Sequence, residues 1–241
     1  MKFYDQLAKD SIYDVIFPAG EYQCRFLQKY LPQNIRILDV AMGTGNYAVE
    51  LLKKGYNVEG LEIDKNMFEL AKEKINKNGF ENSIYNMNML NISKINKRYG
   101  AIYCIGNSIV HLTDIDEIYE FTKDVYNTLG EKGVFIVQTV NYDRILKFDV
   151  KNLPTIVRDE YGIKFIRKYS LKENKIIFTG EIISKDNEPS ISKVELYPLQ
   201  SVEFTNCLYK AGFTSVEIFG SFKEDSFNEN SMAMVIVAKK Q

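Results

Sequence analysis

Residues 37–48 read ILDVAMGTGNYA. An apolar run enters a turn that holds Gly43 and Gly45, and a helical pattern starts at Asn46. The spacing of Gly43, Gly45 and Ala48 is the G-x-G-x-x-G/A arrangement. In it a strand hands over to a helix N-terminus through a turn tight enough for a nucleotide to approach the backbone. Asp39 lies inside the strand, four residues before the first glycine. A carboxylate there opposes a pyrophosphate at the helix N-terminus and suits a ligand carrying positive charge.

Working outward, an acid at the end of the next strand, Glu62 in GLEID, stands where such folds grip the two hydroxyls of a ribose. A carboxylate accepts from both hydroxyls at once. Strand and helix patterns alternate up to Val140. IRILDV, YNVEGLEI, SIYNMNML, YGAIYCIG and GVFIVQTV read as strands. NYAVELLKKG, DKNMFELAKEKINKNG and DIDEIYEFTKDVYNTLG read as helices, with Asp64 as an N-cap. This predicts a doubly wound, mostly parallel α/β sheet. Before it, residues 19–31 place Tyr22, Phe26, Leu27, Tyr30 and Leu31 on one helical face, ended by Pro32.

After Val140 the period changes to two. Alternating stretches within 155–197, broken at Glu173-Asn174 and Lys185-Asp186-Asn187, predict a small antiparallel β insertion. A helix, SVEFTNCLYKAG, follows, then the strands SVEIFGSF and MAMVIVAKK. The loop between those strands is too short for a crossover helix, so they are expected to pair antiparallel.

The chain of 241 residues carries 31 Lys+Arg against 32 Asp+Glu, a balance that gives no electrostatic reason to expect nucleic acid or a membrane as partner. Cys24, Cys104 and Cys207 are widely spaced, which argues against a disulfide framework or a structural metal. No apolar run is long enough to span a membrane and the N-terminus lacks a signal-peptide pattern, so a cytoplasmic location is expected.

The stretches LDVAMGTGNYA, GLEIDKNMFELA, YNMNMLNI, GAIYCIGNS, GEKGVFIVQTV and LYKAGFTSVEIFGSF resemble the class I S-adenosylmethionine-dependent methyltransferases along nearly the whole chain. The resemblance implies a Rossmann-like seven-stranded sheet with an antiparallel last strand, forming a single domain over 1–241. Within it, 1–31 is expected to form a helical lid and 145–197 an inserted substrate cap. It implies S-adenosylmethionine as methyl donor and S-adenosylhomocysteine as product. Carried over by position, Asp39, Ala41, Gly43 and Gly45 shape the methionine side, Glu62 takes the ribose flanked by Ile63 and Met67, and Asn88 and Met89 meet the adenine. Ile105 and Gly106 close the end of the fourth strand, and Tyr13 closes over the cofactor from the lid. Ala41 stands where the family usually has glycine, and Asn88 where it often has aspartate.

CIGNSIVHL (104–112), NYDRIL (141–146), LYPLQSVEF and FGSF further resemble the glycine and sarcosine N-methyltransferases. Those enzymes carry a carboxylate-binding arginine just before the Asn-Tyr-Asp word, where this chain has Val140. The expectation is therefore a small-molecule acceptor, with an amine nitrogen as candidate but no commitment to an amino acid. His111, the only histidine, and Asn107 are the candidate catalytic groups. Asn107, Asn141, Tyr142, Tyr197 and Tyr4 are the candidate acceptor contacts. A non-catalytic S-adenosylmethionine-binding sensor or scaffold is the alternative from another class.

Overall fold

The computed structural model describes residues 12–185 and 188–241. Helices α1 (Ile12–Ile16) and α2 (Glu21–Tyr30) lead into β1 (Arg36–Val40). Then come α3 (Asn46–Lys53), β2 (Asn57–Glu62), α4 (Lys65–Lys77), β3 (Ile84–Asn86), β4 (Tyr99–Cys104), α5 (Ile115–Thr128) and β5 (Leu129–Val140). A short α6 (Tyr142–Lys147) precedes four strands: β6 (Asn152–Arg158), β7 (Ile163–Lys172), β8 (Lys175–Ile183) and β9 (Ser190–Leu196). The chain closes with α7 (Ser201–Ala211), β10 (Ser215–Phe219) and β11 (Ala233–Lys239).

Seven strands form one sheet in the order β10-β11-β5-β4-β1-β2-β3, and β11 runs antiparallel to both its neighbours. The central strands are buried on both faces, which is why they read as continuous apolar runs. Along β1, Leu38 and Val40 pack into a core with α5, α6 and α7, while Ile37 packs on the other face with residues of α2, α3 and α4. Strands β6–β9 form a separate antiparallel sheet. Its β7–β8 hairpin turns at Glu173-Asn174, where Glu173 takes a left-handed φ of 53°.

Two local readings change. The expected strand over 83–90 is only three residues long and gives way to a 3₁₀ turn over Met89–Ile95. The Asn88 carboxamide starts that turn by accepting from Leu90 N–H at 2.9 Å. Asn141 likewise caps α6, a helix that alternation alone did not reveal, by accepting from Arg144 N–H.

The small sheet packs against the large fold through a third apolar cluster. Ile16 of α1 and Met67 of α4 meet Ile163, Phe165 and Ile182 there. Helix α1 is thus held between the two sheets. Its terminal carbonyls, which no later helical turn satisfies, take Arg158: Nε donates to Val15 O at 2.8 Å and Nη2 to Ile16 O at 3.0 Å. On its other side Asp14 pairs with Lys74 at 2.7 Å and accepts from the Thr44 hydroxyl of the glycine loop. No described helix is long and apolar enough to cross a membrane.

Candidate active site

The parallel strands end at a cavity of about 540 Å³, within the size range of small-molecule sites. Its floor is the carboxyl edge of the sheet: Asp39 and Ala41 after β1, Ile105, Gly106 and Asn107 after β4, and Gln138 and Val140 on β5. Its roof is the small sheet, which contributes Leu153, Ile156, Phe165, Arg167, Tyr169, Phe178 and Leu196. Helix α1 and the residues after it close one side with Tyr13, Ile16, Phe17 and Pro18. An open α/β sheet presents its ligand crevice at this edge, where loops leave the strands in opposite directions.

The glycine loop is built around an acid below it. Glu62 is 6% exposed, and its two carboxylate oxygens accept from Gly43 N–H at 2.8 Å and Asp64 N–H at 2.9 Å. Burial pushes its pKa up, and these two N–H groups pull it back down. Ala41 and Gly43 both take left-handed φ values, 57° and 58°. Ala41 thereby holds, at a steric cost, a conformation that glycine adopts freely. A Cβ on Gly43 would stand 2.9 Å from the Tyr13 hydroxyl oxygen, so α1 rests directly on this turn.

Asp39 is 3% exposed and accepts from the Tyr103 hydroxyl at 2.8 Å. Burial raises its pKa well above the usual carboxylate range, the Tyr103 bond opposes that, and the neighbouring Glu62 raises it further. Among the described residues no Lys, Arg or His forms an ion pair with Asp39 or Glu62. Two buried carboxylates without a protein cation make this end of the site complementary to a positively charged ligand. A sulfonium donor with an ammonium group meets that requirement, and a pyrophosphate does not.

On the acceptor side hydrogen bonds tie the loop after β4 to β5 and α6. Asn107, at φ 69°, accepts from Val140 N–H at 2.9 Å and donates to the Tyr142 hydroxyl at 3.1 Å. The Tyr142 ring packs beside that of Tyr169 on β7, with centroids 6.4 Å apart. His111 lies in the cavity wall, and burial pushes its pKa down to about 4. It is therefore a neutral imidazole at pH 7.

Of the residues singled out from sequence, Tyr13, Asp39, Ala41, Ile105, Gly106, Asn107 and His111 line the cavity together. Gly43, Gly45, Glu62, Ile63, Met67, Asn88 and Met89 lie outside its wall. The packing of α1 accounts for several of these: Tyr13 covers Gly43, and Met67 is buried among Ile16 and the small sheet. Three of the acceptor candidates lie outside the cavity wall. The Asn141 amide donates to the carbonyls of Asn228 and Ser231 and so pins the β10–β11 loop. Tyr142 is fully buried beneath the wall, where its hydroxyl accepts from Asn107 and its ring packs beside Tyr169. Tyr197 donates to Glu203 at the start of α7 at 2.6 Å, and its neighbour Leu196 lines the cavity instead. Tyr4 lies outside the described residues. The reading from sequence did not single out Arg158, Arg167 and Tyr169, all in the cavity wall.

Comparison with known proteins agrees with this architecture. Residues 37–133 match a family model described as a methyltransferase domain. The glycine/sarcosine N-methyltransferase of Aphanothece halophytica is 24% identical over 222 residues, covering 92% of this chain and 81% of that protein. The glycine/sarcosine N-methyltransferase of Halorhodospira halochloris is 26% identical over 207 residues, covering 86% and 75%. The crystal structure of an S-adenosylmethionine-dependent methyltransferase from Clostridium acetobutylicum superposes with a TM-score of 0.82 at 18% identity, covering 99% of this chain and 98% of that one. The strand order with its antiparallel β11, the glycine loop seated on Glu62 and these matches agree: residues 37–133 match a methyltransferase domain, and the chain has the fold of the S-adenosylmethionine-dependent methyltransferases.

Proposed function

We propose that this methyltransferase acts on the nitrogen of a small-molecule amine held between the sheet edge and the β6–β9 roof. The observation that carries the reading is the cavity itself. It opens beside Asp39 and the loop after β4, and the small sheet roofs it with Leu153, Phe165, Phe178 and Leu196. A space of this size, capped by an inserted sheet, admits a metabolite and excludes a folded polymer. The relatives named as glycine/sarcosine N-methyltransferases support nitrogen as the accepting atom. The three free thiols, Cys24, Cys104 and Cys207, fit a reducing, cytoplasmic setting.

S-adenosylmethionine supplies an electrophilic methyl group on a cationic sulfur. The chain's share is placement and exclusion of water. Asp39 receives the positive end of the donor, and the turn at Ala41–Gly45 shapes the methionine side. Tyr13 closes over that turn from α1. Glu62 takes the ribose with the lone pairs that Gly43 and Asp64 leave free. Ile63, Met67, Asn88 and Met89 form the adenine side, which α1 and the small sheet cover in part. Asn107, fixed at both ends of its amide, holds the loop after β4 against β5 and α6. His111 is too weak a base to hold a proton from an aliphatic ammonium, so its role here is to orient the acceptor. The proton leaves to solvent before transfer. Alignment of a lone pair with the breaking C–S bond is the kind of positioning worth about 7–11 kcal/mol where the geometry is fully pre-set.

The test is a panel of small primary and secondary amines incubated with the protein and methyl-labelled S-adenosylmethionine. N-methylated product is expected from at least one amine. Label appearing only in protein or nucleic acid would sink the reading.

A further inference from the structure

Arg167 sits on β7 between Phe165 and Tyr169 in the period-two alternation, so all three project from the same face into the cavity. Its neighbours across the ladder are Leu153 on β6 and Gly180 on β8. A guanidinium on a mainly apolar roof needs a reason, because a partly desolvated cation without a counter-charge is costly. Its hydrogen bonds account for little of it. Nη2 donates to Pro154 O at 2.6 Å, and Nε is buried with no partner among the described residues. Among the described residues Arg167 forms no ion pair, and the only acid lining the cavity is Asp39 in the floor, bonded to Tyr103. Burial lowers the pKa of Arg167, as expected for a cation lacking its counter-charge. The cavity's other cation is committed, since Arg158 holds the terminal carbonyls of α1.

The site therefore has an acidic floor and a basic roof. We propose that Arg167 is the receptor for an oxyanion on the methyl acceptor, so that the acceptor is an amine carrying a carboxylate or a phosphate group. The proposal rests on the N-methyltransferase reading and names its substrate class. The anionic group binds at the roof beside Tyr169, and the nitrogen points down toward the loop that carries Asn107. A guanidinium matches both oxyanions through parallel N–H donors. Arg167 is a specificity residue and takes no part in breaking the C–S bond.

The test has a binding arm and a kinetic arm. In the first, protein loaded with S-adenosylhomocysteine is titrated calorimetrically with acetate, with inorganic phosphate, and with acetamide as the neutral control. Wild type is expected to bind acetate or phosphate, and whichever binds identifies the source. Arg167→Met should weaken that binding at least tenfold with unchanged affinity for S-adenosylhomocysteine. Arg167→Lys, which keeps the charge and loses the planar fork, should fall between, and it answers the same question if the methionine variant does not fold. In the second arm, glycine is compared with glycinamide and phosphoethanolamine with ethanolamine. The preference in kcat/KM for the anionic member should collapse in Arg167→Met through KM. Absence of anion binding by wild type, or equal binding by the variants, overturns the proposal. Amine methylation that ignores Arg167 overturns it while leaving the N-methyltransferase reading intact. Arg167-dependent anion binding with no amine methylated supports the subsite and sinks that reading.

Discussion

Replacing Asp39 with Asn separates charge from shape at the residue that decides the cofactor. The carboxamide oxygen still accepts the Tyr103 hydroxyl, so the 2.8 Å bond has an equivalent in the variant. What disappears is a buried negative charge. Two opposite charges about 4 Å apart at an effective dielectric near 20 attract by about 4 kcal/mol. Against that stands the cost of ionising a carboxyl whose pKa burial has raised. The net loss for a cationic donor is on the order of 1–3 kcal/mol, or roughly 5- to 150-fold in Kd. The sign of the pH effect follows from the same shift. Without ligand, Asp39 stays protonated to a higher pH than the ordinary 3.8. Fixing a cation beside it drives the proton off. Binding of S-adenosylmethionine should therefore release protons and tighten with pH until pH exceeds the raised pKa. Calorimetry in two buffers of different ionisation enthalpy reads that release directly. The free protein gains nothing from ionising Asp39: this carboxyl favours folding below pH 3.8 and progressively less as pH rises through its folded value. Asp39→Asn should thus leave the melting temperature at neutral pH unchanged or raise it. Unchanged affinity together with unchanged proton release in the variant would refute the reasoning.

Glu62→Ala strands the N–H groups of Gly43 and Asp64, so unfolding free energy should fall by about 2–4 kcal/mol and affinity for S-adenosylhomocysteine should fall with it; denaturant titration and calorimetry check both. Gly43→Ala adds a Cβ at a left-handed φ and against Tyr13, at a cost of about 1–2 kcal/mol before the contact with α1 is counted. In a Tyr13→Ala background the cost should shrink, and strict additivity of the two melting shifts would argue against α1 resting on the loop. His111, held neutral to about pH 4, takes up a proton near pH 6.5 once unfolded. Its contribution to stability is complete above pH 6.5 and is lost as pH falls toward 4, by about 3 kcal/mol in all. The pH dependence of unfolding should flatten across that window in His111→Gln.

The sheet was legible because its strands are short apolar runs bounded by glycine and helix caps, and Asp64 does cap α4 through Asn66 and Met67 N–H. The glycine loop was legible by spacing. That Glu62 supports the loop from beneath follows from the β1–β2 register, which places Asp39 against Gly60 and Val40 against Leu61, and no spacing rule reports that. At Tyr197 the residue type suggested a contact, but in a strand one step changes the face, and Leu196 took the cavity. At Asn141 the position after β5 suggested the pocket, and the structure shows the N-cap that an Asn ahead of a short helical run also signals. Arg167 had a readable signature: a lone charge in the alternation Ile163, Phe165, Arg167, Tyr169. Which way that face pointed depended on how the small sheet packs over the large one.

The most direct measurement is a crystal structure of the protein with S-adenosylhomocysteine. The account predicts the ligand's ammonium near Asp39, its ribose on Glu62 with α1 shifted to admit it, and its sulfur opening into the cavity beneath Arg167 and Tyr169. S-adenosylhomocysteine bound elsewhere, or with its sulfur facing away from the β6–β9 roof, would contradict it.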